Sequence, residues 1–203
     1  MDTATVVFLM NCFLFASLIQ SSPVPASGLP HSFVETVSQA NTIVEKILNN
    51  LHAVHSATVS IQGLSLDSSP QTSHFQMMEM SMGIPASPVL KILSELFTLD
   101  MCVSRMSAGI QMYENILELL SQSLSGLEDV RTDLRDLLTH INKLKEVADV
   151  PDDGLDQNPS LDLASQLQDS YRVQVAVHLT LTQLRSFCYD LIRTFRVLST
   201  YRP

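Results

Sequence analysis

His52 and His55 stand three residues apart, a spacing that sets two imidazoles near one face of a helix and suits a shared metal ion. No Cys, Asp or Glu lies beside them at a helpful spacing, so the sequence favours exposed polar residues at a helix end. His31, His74, His140 and His178 are isolated. The chain carries no H-E-x-x-H, G-x-S-x-G, P-loop or G-x-G-x-x-G pattern. Its Ser, His and Asp residues form no recognisable nucleophile-and-base arrangement. The sequence therefore predicts no catalytic residue, no cofactor and no metal site.

The polar residues that stand out follow helical spacing. Asp129, Thr132, Asp133, Asp136, Thr139, His140 and Lys143 are expected along one exposed face. Asp129 and Asp133 are like charges four apart, which costs a few tenths of a kcal/mol in an isolated helix. Glu128 and Asp129 fall in a first turn and complement the helix dipole there. Asp133 and Asp136 lie beyond it, with Arg131 and Arg135 to either side and able to screen them. Two readings stay open: a solvated helix face, and an acidic docking stripe for a basic partner.

Four stretches of helix periodicity must position these residues. The first covers residues 32–54, with Phe33, Val37, Ala40, Val44, Ile47, Leu51 and Val54 on one face. Ser32 and Glu35 have capping-box spacing. The second covers 88–120, lined by Val89, Leu93, Leu96, Leu99, Cys102, Met106, Ile110, Tyr113, Leu117 and Leu120, with Ser87 and Pro88 as its cap and first residue. The third covers 127–147, between Gly126 and Pro151. The fourth covers 161–198, with Leu163, Leu167, Val173, Val177, Leu181, Leu184, Cys188, Leu191, Phe195 and Leu198 in its stripe.

The connections constrain how such helices join. The link over 121–126 is short, so the second and third helices should be antiparallel neighbours. The link over 56–87 is long enough to reach either end of a neighbour, and its residues 74–82 can form a turn or two of helix. The link over 148–160 spans ~43 Å extended, against ~32 Å for the third helix. Long, short, long is the pattern of an all-α, up-up-down-down four-helix bundle with long crossover connections.

Composition narrows the partners. The chain has 203 residues, 45% of them hydrophobic, and a net charge of −9. That suits one domain with a sizeable core. It argues against nucleic acid and anionic membranes, and suits a basic patch on a protein partner. Residues 6–19 are a nearly unbroken apolar run, too short to cross a ~30 Å hydrocarbon core as a helix. Small residues and Pro23 follow it, as in a secretory signal, although no Lys or Arg precedes it. The expectation is a signal peptide over residues 1–21 and a secreted, extracellular domain over 22–203, with no membrane insertion. Cys102 and Cys188 then remain, both on apolar stripes. A bridge needs Cα atoms within ~7 Å, whereas packed helix axes lie ~8–10 Å apart, so two buried thiols are favoured.

At four places the chain resembles the granulocyte colony-stimulating factor family of long-chain helical cytokines, related to interleukin-six. These are Leu29-Pro30-His31-Ser32-Phe33; Ser81-Met82-Gly83-Ile84-Pro85-Ala86-Ser87-Pro88, the most specific; Cys102 with Gly109 and Tyr113; and Arg185-Ser186-Phe187 with the ending Phe195-Arg196-Val197-Leu198. The resemblance implies a growth factor, monomeric when free, that brings class I cytokine receptor chains together and promotes granulocyte production. It implies a larger receptor-binding face on Thr36, Gln39, Ala40, Thr42, Ile43 and Ile47 with Thr132, Asp133, Asp136 and Thr139. It implies a smaller face on His74, Met77, Ser81 and Tyr171. The chain departs from the family where a glutamate is replaced by Gln39 and another by His74. Of the family's four usual half-cystines only Cys102 remains, so the 56–87 connection is expected to be looser. Another interleukin-six-like cytokine and a secreted lipid-binding helical protein are the alternatives. The second predicts bases flanking the apolar stripes, and the chain has 12 Lys and Arg.

Overall fold

The computed structural model describes residues 31–67, 80–91, 97–150 and 163–200, together with Met77 and Ser94. The expected leader over 1–21, His74, Leu93 and Leu96 lie outside the described residues. The described chain is all-α: α1 His31–Thr58, α2 Leu99–Ser121, α3 Glu128–Val147, the single turn α4 Leu163–Gln166, and α5 Ser170–Thr200. The one β-type contact among the described residues is an isolated bridge between Ser94 and Phe97.

The apolar stripes explain the packing. Phe33, Val37, Ala40, Val44, Ile47 and Leu51 of α1 are buried, and so are Val130, Leu134, Leu137, Ile141 and Leu144 of α3. Helix α1 packs on α3 and α5, and α2 packs on the same two. The Thr58 methyl at the end of α1 lies against Gly126, just before α3. At that same end His55 of α1 meets His178, and Ser60 meets Gln174, both near the start of α5. Residues 175–181 of α5 are buried without interruption, which a helix tolerates only when covered all round.

Part of that cover comes from the chain after α1. The backbone N–H and hydroxyl of Ser60 both donate to Gln174 Oε1, at 2.8 and 3.0 Å. Arg185 donates to the Leu66 carbonyl at 2.7 Å and to Asp67 at 3.1 Å. Val59, Leu66, Met82 and Ile84 are buried in the core. Among the described residues of the 56–87 connection, these contacts tie residues 59–67 and 82–84 to the bundle. Residues 80–82 form the expected helical turn.

Helix boundaries differ from expectation at three places. His31 is already helical, so Ser32 is not a cap, and its carbonyl accepts the Thr36 hydroxyl at 2.8 Å. Helix α2 begins at Leu99, not at Pro88. Thr98 is its cap and accepts the Met101 N–H, and Asp100 complements the first turn. The described residues 84–91 run without helix, as Pro85 and Pro88 favour. Arg105 fixes that course by donating to the Val89 carbonyl at 3.0 Å while its guanidinium covers the Phe97 ring. The expected fourth helix is broken at 167–169, where Asp169 accepts the Arg172 N–H at 2.8 Å and caps a new helix.

Helix α3 begins one residue later than expected, at Glu128. Gly126 supplies the positive φ of +99° needed for the tight entry, and its N–H donates to Glu128 Oε2 at 2.8 Å. Bonds from backbone N–H groups of Glu128 and Gly126 hold the Glu128 carboxyl below the usual carboxylate range. At the other end Asp149 takes a left-handed φ of 53° and the Val150 N–H returns to the Lys145 carbonyl. Helices α2 and α5 approach closely at Gly109, where a Cβ would lie 2.4 Å from the Phe187 ring.

Candidate functional site

Helices α1 and α3 form the surface that carries the charged residues. Lys46, one helical turn beyond Thr42, reaches across to Asp133, with Nζ 2.5 Å from Oδ1. The ammonium side chain is 62% exposed and the carboxylate 3%. Asp133 therefore corrects the sequence reading: it is not on an open face but under Lys46, at the edge of the core. The bond to Asp133, then its charge, then the charges of Asp136 and Asp129, push the Lys46 pKa up despite slight desolvation. Asp129 and Asp136 are themselves exposed.

The expected screening by Arg131 and Arg135 takes another form. Arg131 reaches Glu118 at 3.2 Å, Glu114 at 3.6 Å and the Ser121 hydroxyl at 3.1 Å, and Arg135 reaches Glu114 at 2.9 Å. Both bases are engaged by carboxylates of α2, on the other flank of α3. Lys46 is the base that meets the acidic row.

Of the larger face implied by resemblance, Gln39, Thr42, Thr132, Asp136 and Thr139 are exposed and Ile43 is half-buried. Thr36, Ala40 and Ile47 are buried, as their membership of the apolar stripe demands, and they offer nothing to a partner. Thr42, Thr132 and Thr139 turn their hydroxyls back to carbonyls of their own helices. The His140 ring lies 2.8 Å from the Asp136 carbonyl. Of the smaller face, Met77 is 68% and Tyr171 59% exposed, and Ser81 is exposed too.

A second polar pair was missed in sequence. His55 Nε2 lies 2.8 Å from His178 Nδ1, with the rings edge to face and both residues buried. His52 instead points outward, its Nε2 3.7 Å from Asp67. The two neighbouring histidines of α1 thus do not share a site, and His55 corrects the expectation of an exposed helix end. Burial first, then the charge of His52, lowers His55; burial first, then the charge of His55, lowers His178, to about 4. The pair is neutral at pH 7, with one ring donating and the other accepting. The signal was present: His178 interrupts an otherwise apolar Val175-Ala176-Val177 and Leu179 run, where only a buried imidazole fits.

Among the described residues no three His, Cys, Asp or Glu side chains gather to hold a metal. Cys102 and Cys188 are free and buried, and burial pushes each thiol up to about 12, which keeps them protonated and unreactive. No described helix is long and apolar enough to cross a membrane. No protein-family model matches the sequence, and no curated protein matches it.

Proposed function

We propose that the chain is a secreted helical cytokine of the granulocyte colony-stimulating factor type, with an up-up-down-down four-helix bundle and long crossover connections. It binds and brings together a class I cytokine receptor and promotes granulocyte proliferation and differentiation. The topology is supported by the helix pairs, α1 and α2 each packing on α3 and α5, and by the meeting of Thr58 with Gly126 and His55 with His178 at one end. The docking role is supported chiefly by one observation: an acidic row, Asp129 and Asp136 around the Lys46–Asp133 pair, on the exposed side of α1 and α3. Such a row steers a basic partner surface and selects against acidic ones. Gln39, Thr42, Thr132 and Thr139 form its polar surround, and Met77, Ser81 and Tyr171 are the exposed residues of a smaller face. The proposal assigns no catalytic, cofactor or metal role to any residue.

The test is binding of the chain to the extracellular part of a granulocyte colony-stimulating factor receptor, with proliferation of receptor-bearing cells as readout. The variant Asp129→Arg with Asp136→Arg, which leaves buried Asp133 alone, should keep its helicity and lose binding at least tenfold. Absence of binding by the unaltered chain, or unchanged binding by the variant, contradicts the proposal.

A further inference from the structure

The Lys46–Asp133 pair is lopsided in a way that ordinary surface ion pairs are not. The lysine comes from α1 and stands mostly in solvent; the aspartate comes from α3 and is buried. The ammonium engages only Oδ1, at 2.5 Å. Oδ2 is buried and has no hydrogen-bond partner among the described residues. A carboxylate at a helix surface accepts several hydrogen bonds when fully used, and a lysine supplies a point charge rather than a fork. A guanidinium supplies two parallel N–H donors matched to both oxygens. Asp129 and Asp136 keep the surroundings acidic even with Lys46 in place, since three carboxylates face one ammonium.

From this geometry we infer that Lys46 is a built-in cap on a carboxylate site, which a partner's arginine fills by displacing the lysine and engaging both oxygens of Asp133. The inference rests on the docking surface proposed above and names its regulation: Lys46 competes with the partner and so sets the affinity. The long exposed stem lets the ammonium swing into water without disturbing α1 packing, because Lys46 itself is outside the buried stripe. Displacement leaves no buried charge unpaired, since one cation replaces another on Asp133. The partner surface that fits therefore presents an arginine, and lysine in its place binds more weakly.

The experiment uses the full chain and a probe independent of any receptor. A tetra-arginine peptide and a tetra-lysine peptide are titrated separately, following the side-chain carboxyl carbon of Asp133 and the Nζ resonance of Lys46 by NMR. The inference expects tetra-arginine to bind more tightly, shifting the Asp133 signal and releasing Lys46. It expects Lys46→Ala to tighten tetra-arginine binding about fivefold to tenfold, and Lys46→Arg, a stronger cap in cis, to weaken it below the unaltered chain. Equal response to both peptides, weaker binding by Lys46→Ala, or equal binding by Lys46→Arg and the unaltered chain overturns it. Thermal melting identifies any variant that fails to fold, and Lys46→Arg keeps the charge should Lys46→Ala do so. The same variants against the receptor ectodomain separate the two ideas. A receptor that fails to bind the unaltered chain removes the functional proposal alone. A receptor that binds but loses affinity with Lys46→Ala removes the cap alone.

Discussion

The Lys46–Asp133 and His55–His178 pairs each join α1 to a neighbouring helix, and they behave oppositely. Lys46–Asp133 joins α1 to α3 at the surface, with one partner in water and opposite formal charges. His55–His178 joins α1 to α5 inside the protein, with both partners buried and neutral. Water decides the difference. At the surface the charged state is the stable one, and the pair is open to exchange with an outside ligand. In the interior the charged state is expelled, and the pair responds to protons instead of partners.

Acid should break the comparison most strongly. The folded-state pKa of His178 is lowered from an ordinary ~6.5 to about 4. A lowered base favours the neutral form in the fold, so this stability is fully present above pH ~6.5 and is lost as pH falls toward 4. The loss is of order 3 kcal/mol. Urea unfolding across pH 7 to 4 should show this slope, and His55→Leu with His178→Leu should flatten it. An unchanged slope in that double variant means the pair does not carry the acid response.

Removing one imidazole ranks next. His178→Ala leaves His55 buried without its partner and opens a cavity, a cost of about 2–3 kcal/mol in denaturant unfolding at pH 7. Gly109→Ala probes a purely apolar contact of comparable weight, because its methyl drives into Phe187 and should cost about 1–3 kcal/mol. Lys46→Ala should lower the unfolding midpoint least, since the lysine itself is mostly solvated. Added salt should weaken the Lys46 pair and leave the histidine pair unaltered. A salt-insensitive Lys46 pair would remove the contrast.

These pairs also mark where the sequence was legible. The stripes of α1 and α3 were readable because every third or fourth residue is apolar, and α3 is bounded by Gly126 and Pro151 with little competition. The start of α2 differs from expectation because Ser87-Pro88 is a good local cap and Thr98 with Asp100 is another; the Arg105 bond to Val89, 16 residues away, is a contact that local sequence does not reveal. The break before α5 hinged in the same way on Asp169, a cap inside a continuous apolar rhythm. The stripe on α3 was found, but not that Asp133 lies under a lysine 87 residues away. His55 and His178 are 123 apart, and periodicity carries no information about which helices meet. Ala40 and Ile47 served in both the apolar stripe and the resemblance-derived docking face, and burial resolves the conflict in favour of the core.

The most direct test of the docking account is a hydrogen-exchange footprint of the chain with and without the extracellular part of a granulocyte colony-stimulating factor receptor. The account predicts added protection over residues 39–46 of α1 and 129–139 of α3. Binding without protection there, or protection confined to α2 and α5, would contradict it.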